Sequence, residues 1–337
     1  MKSITFLAIF MAISSYYTAL STTIPWYMKD VPHMNHKWYK ANCTTIRYRQ
    51  YARTFIKQAY YLTVTQKSTD IALEKIDAEL EVISDKFVNK QNRAIQKIKE
   101  KYDLDDDHFG KHLEAINMIN KLNIFMLKQD TVDPRRHDEN LPQAVKEITC
   151  TLLKKNGINP LNVKLLALDE KEIDLGLQGQ AILAMNTTKE NPFSHTIKLT
   201  RNYVNEYHAL SNCAHEVEHL LQQHMMTDLF VTEYLQKHRN ISSENLETCT
   251  AYKKLKKSQE QQAEIFAALR DPDVAYAMTK ERRDYEYPGY LYEKHYYYLT
   301  TIHMLWTLRS YIASVQTHGT FKATKEHLNT LMERLIS

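Results

Sequence analysis

From Ile76 onward the apolar positions fall at Leu80, Ile83, Phe87, Ile95, Ile98 and Tyr102, mostly three or four apart, with charged residues between them. That spacing predicts an amphipathic helix lying on a partner. The stripe lapses around Gln91, which argues against a long uninterrupted coiled coil. A second stretch, Leu113, Ile116, Ile119, Leu122 and Phe125, repeats the spacing and is expected to fold back on the first. Residues 22–135 therefore read as an arm of amphipathic helices, bounded by the polar, proline-containing stretch from Thr131 to Pro142.

The texture changes beyond that stretch. A helical pattern over 143–155 leads into short apolar runs at Val163–Leu168, Ala181–Met185 and Thr196–Leu199, with Gly157, Gly176 and Gly179 among them. Helical periodicity resumes near Val204. It continues from about 245 to the end, interrupted at Asp271-Pro272 and Tyr287-Pro288. The predicted class is α+β and mostly helical. A short sheet precedes a helix in a unit spanning 143–337 that ends in C-terminal helices, and the helical arm precedes that unit.

Composition narrows the class. Only 6 glycines and 8 prolines in 337 residues disfavour turn-dense sandwiches, and 43% apolar residues suffice for a core. A net charge of +4, with both signs interleaved, gives no footprint for nucleic acid. Residues 1–21 begin Met-Lys, run apolar from Ile4 to Ile13 and end Ala19-Leu20-Ser21, the outline of a secretory signal peptide. The mature chain is thus expected to be secreted or periplasmic, with no stable membrane span. Export would allow Cys43, Cys150, Cys213 and Cys249 to form two disulfides.

Chemistry enters at His215-Glu216-Val217-Glu218-His219, an H-E-x-x-H sequence. Four residues apart on a helix, both imidazoles reach one metal ion, and Glu216 can approach a water that the metal activates. A catalytic zinc usually takes three protein ligands and leaves one position open. Gln222 and Met225 stand where a metzincin has Gly and His, so that class is excluded. Among later acids, Glu233, Glu244 and Glu247 compete, but Glu260-Gln-Gln-Ala263-Glu264 places two carboxylates on one helical face.

H-E-x-x-H followed by E-x-x-A-[D/E] resembles the gluzincin zinc metallopeptidases, in particular compact members of the Ste24/Oma1 kind. The string through Phe266-Ala267 is also similar to the ImmA/IrrE-type peptidases. The resemblance covers about residues 143–270. Glu218 stands where those families have Gly, and Glu264 where Asp is more usual. The resemblance implies Zn2+ held by His215, His219 and Glu260, with Glu264 orienting an imidazole and Glu216 as the catalytic general base. The substrate would be a peptide or protein.

If the Glu260 helix packs antiparallel to the H-E-x-x-H helix, Cys249 lies about 16 Å along its axis from Glu260, which disfavours a Cys213–Cys249 disulfide. Two further readings stand beside these. The arm's amphipathic faces suit a protein partner, so an exported binding or adaptor protein with an inactive zincin-like domain is the alternative function. The loop Asp103–Asp107 with Glu114 resembles a calcium-binding loop, and a solvated helix cap accounts for the same residues.

Overall fold

The computed structural model describes residues 69–130, 137–185 and 193–284, together with 298, 299, 301–303, 305, 306, 309, 310 and 313. The expected signal peptide, Cys43 and the tyrosine-rich run 285–297 lie outside the described residues.

The described chain is mostly helical with one small sheet. Helix α1 spans Thr69–Lys101, α2 Asp106–Lys128 and α3 Gln143–Lys155. Strand β1 (Val163–Ala167), the short helix α4 (Glu170–Asp174), β2 (Gly179–Met185) and β3 (Phe193–Leu199) follow. Then come α5 (Glu206–Leu221), α6 (His224–Arg239), α7 (Ser243–Thr248), α8 (Thr250–Arg270) and α9 (Pro272–Asp284). No helix among the described residues is long and apolar enough to cross a membrane.

The sheet order is β1-β3-β2. Central β3 runs parallel to β1, with Val163 opposite His195, and antiparallel to β2, with Ala181 opposite Ile197. Alternation along β3 buries His195, Ile197 and Leu199, as period two requires. Beneath lie Val145, Thr149, Leu152 and Leu153 of α3 and Cys213, Val217 and Leu220 of α5. Strand β2 forms an edge.

The lapse at Gln91 does not interrupt the helix: α1 is continuous across it. It marks a change of core instead. Ile76, Leu80, Ile83 and Phe87 join the core of the sheet, α3 and α5, whereas Ala94 and Ile98 join a second core with Leu104, Phe109, Tyr234, Tyr252 and Leu255. Between the two, Lys90 Nζ donates to Gln261 Oε1 of α8. Helix α2 differs from expectation in part: Ile116 is buried and Leu113 packs against the second core, as the spacing predicts. Leu122 and Phe125 are exposed, and the inward face is Phe109, Ile116, Asn123 and Leu127, with α2 lying on α6. Equal spacing fits either face, and polar Asn123 interrupts the one that is buried.

No disulfide joins the cysteines of the described residues. Cys150, Cys213 and Cys249 are free thiols. Cys213 is buried on α5 beside Thr149 and Tyr203, while Cys249 caps α8 beside Tyr102. The Asp103–Asp107 loop acts as a cap: Asp105 accepts from the Asp107 N–H at the start of α2, and Asp107 pairs with Lys111.

Because α1 completes the core under the sheet, Phe87→Ala should destabilise the whole chain by about 3–5 kcal/mol, in the range for emptying a buried aromatic site. Denaturant unfolding followed by both tryptophan fluorescence and circular dichroism checks this. Two separate transitions, with residues 140–310 keeping the wild-type midpoint, would show that the arm folds apart.

Candidate metal centre

Helix α5 starts cleanly because the Asn205 side chain accepts the His208 N–H at 2.9 Å, satisfying one orphan donor. Its apolar face, Ala209, Cys213, Val217 and Leu220, turns His215 and His219 toward α8. Two side chains fasten the helices together. Buried Glu218 accepts from Arg270 Nε at 2.7 Å and from Gln222 Nε2 at 2.6 Å. A Gly at 218 would forgo that clamp.

Three ligating atoms converge there. His215 Nε2 lies 3.0 Å from His219 Nε2 and 3.1 Å from Glu260 Oε2, and His219 Nε2 is 3.5 Å from the same oxygen. Donors held 2.0–2.1 Å from one tetrahedral ion stand about 3.3 Å apart, so the three distances bracket the required spacing. Among the described residues this is the one group of three or more His, Cys, Asp or Glu side chains able to hold a metal ion. Burial raises the Glu260 carboxyl, but hydrogen bonds and charge from His215 and His219 outweigh it and hold the group below the usual range. Its side chain remains 60% exposed, so water screens part of that attraction.

Glu216 lies behind, against the sheet. Its carboxyl is raised by burial and pulled back by the charges of His215 and His219, with the Ala181 N–H nearby. Gly179 makes the close approach possible. A Cβ there would meet Glu216 Cγ and Oε1 at 2.7 Å and Asn212 Oδ1 at 2.9 Å. Asn212 completes the junction by donating to the Gln178 carbonyl at 2.7 Å.

Sequence reasoning brings together the residues that the structure brings together: His215, His219 and Glu260, with Glu216 beside them. Glu264 is buried one turn beyond Glu260. The sequence did not point to His224. Gln223 adopts a left-handed φ of 52°, which ends α5 and swings His224 back under the site. His224 Nδ1 then lies 2.9 Å from His219 Nδ1, and its Nε2 lies 2.8 Å from Gln262 Oε1. Burial first, then the charge of His219, push the His224 imidazole down to about 3. The turn is held by the arm: Asn123 of α2 donates to Gln223 Oε1, and its own Oδ1 accepts from His195 Nε2 at 3.0 Å.

On the other side of α5 is Glu281 of α9, with Oε1 3.7 Å from His208 Nε2. Burial pushes its carboxyl from 4.5 up to about 7, against the pull of a Ser211 hydrogen bond and of His215.

Two measurements test these environments. Gly179→Ala should cost about 1–3 kcal/mol by overpacking, whereas Gly110→Ala, in the open helical interior of α2, should gain about 1 kcal/mol. Equal effects of the two in chemical denaturation would contradict the close approach. For Glu281, the folded chain keeps its proton after the unfolded chain has lost its own, so stability is full below about pH 4.5 and falls toward pH 7. Glu281→Gln should flatten that part of the stability–pH curve. An unchanged slope would contradict the buried neutral acid.

No family model, curated protein or solved structure matches this chain, so what the centre does is read from its own side chains.

Proposed function

We propose that the chain is an exported zinc-dependent metallopeptidase of the gluzincin type, its sheet and α5 forming a zincin-like domain. The observation that carries this reading is the convergence of His215 Nε2, His219 Nε2 and Glu260 Oε2 at 3.0–3.5 Å, with the Glu216 carboxyl beside them. Two imidazoles and one carboxylate at tetrahedral spacing suit zinc and leave a position open for chemistry. Bound zinc supplies acidity to a water molecule and polarises the scissile carbonyl.

The remaining work falls to the chain. Glu216, raised by its burial, is the base that takes the proton of the attacking water and returns it to the leaving amine. Strand β2 stands at the end of the described sheet and meets Glu216 at Gly179, so an extended peptide pairing with its outer side would bring a peptide bond near the base. Glu218 and Arg270 keep the two ligand-bearing helices in register, so that Glu260 is in place before substrate arrives.

The adaptor reading has one observation in its favour. Met118, Leu122, Phe125 and Met126 form an exposed apolar face on α2, of the kind that recruits a partner. Bound metal and turnover separate the two readings.

Elemental analysis of the purified wild type beside His215→Ala should find about one zinc per chain in the first and little in the second; iron in its place would favour oxygen chemistry. Glu216→Gln should retain zinc and lose peptidase activity by on the order of a thousandfold or more, since Gln cannot accept the proton. Turnover near wild type in that variant would contradict the mechanism. Glu260→Ala, left with two imidazoles, should lose most of its zinc affinity, with Glu244→Ala as control.

A further inference from the structure

We infer that His224 and Gln262 are positioning residues that fix the tautomer of His219, baring its Nε2 lone pair toward the metal position. The inference rests on the metal-centre reading above and deepens it. A histidine binds metal through a nitrogen that carries no proton, so a neutral His219 ligating through Nε2 must hold its proton on Nδ1. Such a proton needs an acceptor. Carboxylates, carbonyls and waters commonly fill that role, but here the atom facing His219 Nδ1 at 2.9 Å is another ring nitrogen, His224 Nδ1.

A contact between two imidazole nitrogens takes one proton. With none, two lone pairs face each other; with two, the hydrogens collide. Which ring donates is settled one step further back. His224 Nε2 faces the amide oxygen of Gln262 at 2.8 Å, an atom that only accepts. His224 therefore carries its proton on Nε2, and its Nδ1 is an acceptor as long as the ring is neutral, as its complete burial favours. His219 must then donate from Nδ1, which leaves Nε2 bare.

On the far side of the ring, His219 Nε2 faces His215 Nε2 at 3.0 Å, the side on which the candidate metal position lies.

The backbone is shaped for the relay. A non-glycine residue at φ 52° is strained, and Gln223 is held there by its own amide donating to the Leu220 carbonyl at 2.6 Å and by Asn123 from α2. Without that turn, His224 would follow the course of α5 and leave the underside of His219. Gln259 adds a bond from its amide to the His224 carbonyl at 3.4 Å. Helix α8 thus supplies one metal ligand, Glu260, and two residues later the amide that sets the proton on another.

Two readouts test the relay. Nitrogen-15 spectra of histidine-labelled, metal-free wild type, with His219 assigned by its loss in His219→Asn, should show His219 protonated on Nδ1 and His224 on Nε2. Zinc titration should show His224→Leu binding about 10–100-fold more weakly than wild type, the cost typical of removing a ligand's hydrogen-bond partner. His224→Asn, whose Oδ1 occupies the place of Nδ1 as an acceptor, should recover affinity to within a few-fold. A metal-free His219 protonated on Nε2 would overturn the inference, and so would a folded His224→Leu that binds zinc like wild type. If Asn proves as poor as Leu, His224 merely fills space and the relay is wrong. A wild type that takes up no zinc would instead sink the metal-centre reading, while the imidazole spectra still decide the direction of the relay.

Discussion

The structure depends on how α8 is laid against α5. Helix α5 can put His215 and His219 on one face by itself, but a third donor must come from elsewhere in the chain, and only tertiary packing delivers it. The Glu218–Arg270 pair, with Glu218 almost wholly buried, sets the helices' relative position at one end. A buried carboxylate left without its partner is expensive, so sliding α8 along α5 is penalised steeply. That constraint places Glu260 3.1 Å from one imidazole and 3.5 Å from the other.

What holds α8 from behind is the arm. Helix α1 runs along it and feeds both cores, four large side chains entering the one under the sheet and Ala94 and Ile98 the other. Helix α2 contributes by a different route, through the chain of amides and imidazoles from His195 to Asn123 to Gln223. The turn at Gln223 is a strained backbone position, and it lies where the chain passes beneath His219. The arm therefore bears on the centre through packing on one side and through hydrogen bonds on the other. Its remaining exposed face, around Leu122 and Phe125, is left for other uses.

Much of this could be read from the sequence, and the limits have physical causes. His215, Glu216 and His219 were readable because helical periodicity alone places i and i+4 together. Glu260 needed the resemblance in E-x-x-A-E, since nothing in local spacing says which later helix returns to the site. The three strands were visible as short apolar runs near glycines, and Gly179 proves to be needed for the approach of β2 to Glu216. The end of helix α2 departs from the expected stripe because Leu122 and Phe125 keep the same spacing as the buried Phe109, Ile116 and Leu127, and Asn123 hides the true stripe. His224 could not have been found by pattern. Its position depends on a left-handed glutamine stabilised by a residue 100 positions away in the chain.

The central claim is that two imidazoles and one carboxylate on two helices hold a single zinc ion. X-ray absorption at the zinc edge of the purified protein tests it most directly. The account predicts a first shell of nitrogen and oxygen only, at about 2.0–2.2 Å, with the multiple-scattering pattern of two imidazoles. A sulfur scatterer at about 2.3 Å, from one of the free cysteines, or a shell with a single imidazole would contradict it.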